Sequence, residues 1–137
     1  MKLYLTTDET KTVQGYNNII VSNGSCKLDG IFKNSCDEII VDNCLDCINN
    51  SLDFLKILSS LIRLNGVIKI YGIDLRNICL SYINGEFGLT EMRKLILDKH
   101  DIFSISDIFN VVKEVNLEVL KCELNGPSFD IQCLRKN

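Results

Sequence analysis

The sequence predicts an α/β fold built on a mostly parallel sheet that closes with an antiparallel hairpin. Three observations predict it. Glu38-Ile39-Ile40-Val41-Asp42 is an unbroken apolar run bounded by acids, the mark of a strand buried on both faces of a parallel sheet. A helical pattern over 52–64 follows, and Asn65-Gly66 leads at once into Val67-Ile68-Lys69-Ile70-Tyr71. That strand, helix and strand make a crossover unit. Near the end, 117–124 and 128–134 read as strands joined by Asn125-Gly126-Pro127, which is hairpin spacing. At this length a single domain over 1–137 is expected.

Each element has its own local signal. Lys2 to Thr6 is a short opening strand, and Thr7 to Gln14 is polar enough to be a loop. Gly15-Tyr16 leads into a second β-branched strand, Asn18 to Ser22, and Asn23-Gly24 is a turn. Ser25 to Ser35 is mixed, with a short strand expected near Cys26-Lys27-Leu28. Asn50-Ser51 is read as the cap of the 52–64 helix, whose buried face is Leu55, Ile57, Leu58, Leu61, Ile62 and Leu64. Gly66 is expected to supply the left-handed residue that ends it. Asp74 to Asn84 reads as a helix with Leu75, Ile78, Cys79 and Tyr82 on one face. Gly85 to Gly88 breaks it. Thr90 then caps Glu91 to Lys99, and Ser106 caps Asp107 to Val115.

Composition removes several classes of function. The 46% hydrophobic and 24% charged residues are those of an ordinary globular protein. No apolar run reaches the roughly 20 residues that span a bilayer, and the opening MKLYLTTDET turns polar too soon for a signal peptide. Neither a membrane nor a nucleic acid is an expected partner. The net charge is −3, and the basic residues are scattered rather than gathered on one face. Seven cysteines, an odd number, argue against a disulfide framework. Cys79, Cys122 and Cys133 sit in apolar runs and read as small buried hydrophobes. A cytoplasmic setting with reduced thiols follows, or a virion if the source is viral. The chain has no alanine although alanine is the best helix former. AT-rich coding, as in some microbes and viruses, accounts for that.

A further set of residues carries a resemblance. Gly15-Tyr16 stands before the second strand. Asp37-Glu38-Ile39-Ile40 opens the apolar strand that follows. Cys44-Leu45-Asp46-Cys47-Ile48 falls where one family has a Val-Leu-Glu-His-Ile turn, and Leu64-Asn65-Gly66-Val67-Ile68-Lys69-Ile70 where it has Lys-Pro-Gly-Gly and a strand. Cys133-Leu134-Arg135 resembles its last strand. In this order the elements resemble the class I, S-adenosylmethionine-dependent methyltransferases over nearly the whole chain. The resemblance implies a truncated, Rossmann-like methyltransferase fold.

The departures fall where that family holds its cofactor. Its glycine loop after the first strand is Thr6-Thr7-Asp8 here, with no glycine before Gly15. β-Branched residues disfavour the positive φ that such a loop needs, and Asp8 would set a negative charge beside the cofactor's carboxylate. The family's ribose-holding acid corresponds to Ile20 or Ser22. Its His after the fourth strand is Cys47, and its Glu is Asp46; Asp42 and Asn43 would line a pocket mouth. The expectation is therefore a catalytically inactive methyltransferase-like domain without a cofactor. It would act as a binding or structural subunit, through a protein partner or by self-association, in a viral (phage) or other assembly. The alternative is an active methyltransferase on a small molecule or glycan. It would use Thr6, Thr7 and Asp8 at the cofactor loop, with Asp42 and Asp46 near the transfer site.

Other constellations are weaker. Cys44-Leu45-Asp46-Cys47 is a C-x-x-C without the second ligand pair a zinc site needs. The single histidine, His100, sits in a Lys-His-Asp segment read as a solvated helix end. No Gly-x-Ser-x-Gly elbow marks a nucleophile. The acid pairs Asp37-Glu38 and Asp42 with Asp46 read as capping or solvated groups. Tyr82, Phe87, Phe103 and Phe109 are expected to be mostly buried.

Overall fold

A computed structural model describes all residues from Met1 to Asn137. Six strands form one sheet: β1 (Lys2–Thr6), β2 (Asn17–Ile20), β3 (Cys36–Asp42), β4 (Ile62–Ile73), β5 (Leu117–Asn125) and β6 (Ser128–Arg135). Their order is β2-β1-β3-β4-β6-β5. The pairs among β1 to β4 are parallel, while β6 runs antiparallel to both β4 and β5. The helices are α1 (Ser51–Leu61), α2 (Leu75–Ile83), α3 (Leu89–Ile96) and α4 (Ile105–Glu114). A single 3-10 turn covers Leu45–Cys47. The mixed α/β architecture and the closing hairpin agree with the sequence reading. No helix is long and apolar enough to cross a membrane.

The apolar core lies against one face of the sheet, and on the other face Tyr4 and Thr6 of β1 are also buried. Leu3, Leu5, Ile39, Val41, Ile68, Ile70, Ile131 and Cys133 share a face by register and join one core with Leu55 and Leu58 of α1 and Ile108, Val111 and Val112 of α4. The opposite face presents Glu38, Ile40, Asp42, Lys69, Tyr71, Asp130 and Gln132, all only half-buried. The expectation that β3 is covered on both sides is thus corrected. The signal was present in β4, where Lys69 and Tyr71 alternate with Ile68 and Ile70, as in a strand with one solvated face.

Polar pairing takes the place of helices on the open face. The Tyr16 hydroxyl donates to Glu38, and Lys69 Nζ lies 3.0 Å from the same carboxylate. The Tyr4 hydroxyl donates to Asp42, which also meets Lys11 Nζ at 3.6 Å. Lys2 lies 5.4 Å above the Tyr16 ring. Burial, first, and the Asp42 carboxylate, second, push the Tyr4 phenol up to about 12. Burial opposes the charge on Glu38, but the Tyr16 hydroxyl and the Lys69 ammonium outweigh it and hold the carboxyl below its ordinary value. A depressed carboxyl stabilises the fold above its unfolded value, about 4.5 for Glu38, and that contribution fades as pH falls through the folded value. Denaturant midpoints are therefore expected to decline below about pH 4.5. In Glu38→Gln the midpoint should be lower at neutral pH and the acid decline shallower. Parallel pH profiles for the two proteins would show that Glu38 contributes nothing to the acid limb.

Several local signals were overruled by tertiary contacts. Helix α1 stops at Leu61, and Ile62 already begins β4. Leu64 and Ile57, assigned to the buried helix face, are 55% and 51% exposed. The left-handed residue is Asn65, at φ 63°. Gly66 is needed for a different reason: a Cβ there would sit 2.9 Å from the Arg63 carbonyl and 3.0 Å from that of Asp37. No strand forms near Cys26-Lys27-Leu28, where only an isolated Ser22–Ser25 bridge occurs. Gly88 rather than Thr90 precedes α3, its N–H donating to Glu91. Ser104 rather than Ser106 precedes α4, its N–H donating to Asp107 at 3.0 Å. Of the four aromatics expected inside, Phe103 is buried against Phe129 with ring centroids 6.2 Å apart. Phe87 is half-buried, and Tyr82 and Phe109 are exposed.

Candidate functional site

Strand order places a crevice before any side chain is considered. From β1 the chain moves to β2 on one side, and β3 then lies on the other side of β1. Ligands of open α/β sheets bind at such a reversal, beyond the carboxyl ends of the strands. A cavity of about 520 Å³ lies there. Its floor is Thr7 after β1, Val21 to Gly24 after β2, Asn43 and Cys47 after β3, and Ile73 of β4. Its roof is Lys94 and Leu95 in the last turn of α3, followed by Asp98, Lys99 and His100 beyond it.

The loop chemistry explains the floor. Asn23, Gly24 and Asn43 are all left-handed, at φ 52°, 77° and 53°. Glycine and asparagine tolerate that region best. A Cβ at Gly24 would also lie 2.6 Å from the side-chain amide of Asn49, which would have to move, and the Asn49 backbone N–H donates to the Gly24 carbonyl at 2.9 Å. At the tip of β1 the backbone is different. Neither Thr6, Thr7 nor Asp8 has a positive φ, and the chain crosses to β2 through Thr7–Tyr16 without a helix.

The candidate residues from the sequence scatter. Thr7 lines the cavity. Thr6 is buried, and its hydroxyl accepts from the Asp8 N–H at 3.1 Å. The Asp8 carboxylate folds onto its own turn, accepting from Thr10 N at 2.9 Å and Thr10 Oγ1 at 2.6 Å. The Thr10 hydroxyl and amide hold its carboxyl below the usual range. Asp42 points to the open face, where it lines a separate depression of about 500 Å³ with Tyr4, Tyr71 and Phe129. Asp46 is 2% exposed, beneath the cavity wall. Ser22, not Ile20, reaches the cavity.

The Lys-His-Asp segment, expected to be solvated, instead builds one wall. Lys99 Nζ lies 3.1 Å from Asp46 Oδ1 and 3.8 Å from Cys47 Sγ. The His100 and Asp101 N–H groups donate to the Asp46 carbonyl at 2.9 and 3.0 Å. Asp101 accepts from Ser51 N at 2.7 Å, and the Ser51 hydroxyl donates to its carbonyl at 3.0 Å. The first turn of α1 is thus capped from a distant segment, while Asn50 makes no side-chain cap bond. Sequence reasoning missed this wall because nothing local in Lys99-His100-Asp101 names its partners.

Cys44 and Cys47 are not activated. Burial, above all, pushes both thiols up, and Lys99 only partly offsets this for Cys47. Nucleophilic thiols need the opposite shift. No three His, Cys, Asp or Glu side chains converge as metal ligands.

No protein-family model and no curated protein matches this chain. Solved structures do. An O-methyltransferase family protein from Burkholderia thailandensis superposes with a TM-score of 0.62 over 89% of this chain at 12% identity. The chain has a class I methyltransferase-like fold. An S-adenosylmethionine-dependent methyltransferase from Thermotoga maritima gives 0.59 over 89% of the chain at 12% identity. An O-methyltransferase family 2 protein from Planctomyces limnophilus, in complex with apigenin, gives 0.56 over 78% at 16% identity. The chain spans 36%, 65% and 32% of those three proteins respectively. The methyltransferase-like fold puts the crevice beyond Thr7 and Ser22 where an α/β sheet of this order receives its ligand.

Proposed function

We propose that this methyltransferase-like domain does not use S-adenosylmethionine and serves as a binding or structural subunit, working through protein contacts. The tip of β1 carries this reading. A cofactor with a charged amino-acid end needs close backbone approach or a helix N-terminus to receive its carboxylate. Here the β1–β2 connection forms no helix and has no glycine at its β1 end, and the Asp8 carboxylate accepts its hydrogen bonds from Thr10. At the ribose position the cavity offers Ser22 instead of an acid. Micromolar affinity corresponds to about −8 kcal/mol, and each hydrogen bond to a charged group contributes roughly 1.5–3 kcal/mol. Forfeiting two or three moves the dissociation constant to about millimolar or weaker.

The second reading is an active methyltransferase on a small molecule or glycan. In its favour, the crevice is open and about 520 Å³ in volume, within the usual range for ligand sites. Against it, Asp8, Asp42 and Asp46 all direct their carboxylates elsewhere. A place in a virion or other assembly belongs to the first reading. Isothermal titration separates the two. Titration with S-adenosylhomocysteine should give a flat trace even at millimolar ligand. Saturable micromolar binding would overturn the non-catalytic reading.

A further inference from the structure

We infer that the free edge of β5 is a self-association surface that pairs antiparallel with β5 of a second copy of this chain, around a twofold axis at Cys122. This deepens the subunit reading above by naming the partner.

Strand β5 is the outermost strand of the sheet, and every residue from Glu118 to Asn125 is exposed. An uncovered edge of this length presents unpaired N–H and C=O groups that template another strand. Its two faces differ. By register with β6, Cys122 and Leu124 lie on the side of Ile131 and Phe129, the helix-covered side, while Lys121 and Glu123 lie on the side of Gln132 and Asp130. On the helix side Leu124 runs past the end of the core, 54% exposed, while Leu120, 50% exposed, is the unpaired residue of the bulge between Val119 and Lys121.

An antiparallel pair related by a twofold axis must put like faces together, because a one-residue slip sends side chains to opposite faces. The registers that bear on the charged pair centre on Lys121, Cys122 or Glu123. With Lys121 on the axis, Lys121 faces Lys121 of the second copy. With Glu123 on the axis, two glutamates face each other. Only with Cys122 on the axis does Lys121 lie opposite Glu123 of the second copy, twice by symmetry. Opposite charges stabilise cross-strand neighbours, and like charges destabilise them. Lys121 and the bulge between Val119 and Lys121 discourage indiscriminate edge pairing, and the Lys121–Glu123 charge pattern leaves one register favoured.

Charge exchange tests the arrangement. Light scattering of the wild-type chain should show a dimer at high protein concentration. Lys121→Glu and Glu123→Lys should each weaken dimerisation about tenfold or more. Mixing those two variants should restore a dimer, because each supplies the charge the other lacks. The double variant Lys121→Glu/Glu123→Lys should restore it as well. Directly opposed Cα atoms lie ~4.5 or ~5.5 Å apart, within the ~4.4–6.8 Å a disulfide spans. Mild oxidation should therefore link the copies through Cys122, and Cys122→Ser should lose the link yet keep the dimer. A monomer at all concentrations, or a dimer indifferent to both single reversals, overturns the inference. Failure of the mixed pair to associate overturns it too when both variants fold; where one folds poorly, failure of the double variant to dimerise overturns it. None of these readouts depends on cofactor titration, so this inference and the non-catalytic reading fail separately.

Discussion

Replacing Lys99 with alanine is expected to lower the unfolding free energy by about 3 kcal/mol and the melting temperature by roughly 10 °C. The reason is the position of its partner. The Asp46 side chain is 3% exposed, Lys99 is 18% exposed, and their atoms lie 3.1 Å apart. Asp46 Oδ2 has no hydrogen-bond partner, so Lys99 is the main compensation for a buried carboxylate. Removing one member of such a pair leaves a charge in a low-dielectric site, which costs more than the pair itself contributes. A double variant, Lys99→Met with Asp46→Asn, should recover most of the loss. Chemical denaturation of the three proteins measures this. A Lys99→Ala midpoint equal to wild type would mean that water already reaches Asp46. The effect should extend to the crevice, because Lys99 and His100 form its wall.

The second large effect is expected at Asp74. Its side chain is 2% exposed and serves two elements at once. One oxygen accepts from Asn77 N at 3.2 Å and caps α2; the other accepts from Ile105 N at 2.8 Å at the start of α4. Its own N–H donates to the Pro127 carbonyl in the β5–β6 turn at 2.8 Å. Loss of a cap costs roughly 0.5–2 kcal/mol and a charged hydrogen bond roughly 1.5–3 kcal/mol. Asp74→Ala should therefore destabilise by about 3 kcal/mol. Asp74→Asn retains one acceptor oxygen and should lose about half as much. A loss below about 1 kcal/mol for the alanine variant would show that water replaces both contacts.

The core strands were legible because their signal is local. The apolar run at 39–41 and the apolar-polar alternation at 67–71 and 129–134 need no knowledge of distant residues to read as strands. The hairpin turn was equally plain from Gly126-Pro127. The candidate site was legible only in part. Thr7 and Asn43 do reach the crevice, since they follow strand ends whose position topology dictates. Asp8 and Asp46 do not, because their directions depend on Thr10 in one case and on Lys99 in the other. Helix ends failed for the same reason. Asn50 carries the right chemistry for a cap, yet Asp101 supplies the contact.

By itself the sequence determined the number and kind of most elements, the parallel-then-antiparallel order, and the lack of glycine beside Thr6 and Thr7. Those properties follow from side-chain period and backbone preference within a few residues. Only the tertiary structure decided that helices cover one face, that polar pairs occupy the other, and that a segment near residue 100 walls the crevice. Each of those outcomes joins groups far apart in the chain, such as Asp46 with Lys99 or Glu38 with Tyr16. Contacts at that separation are selected by whole-sheet register and burial, and no local window of residues contains either.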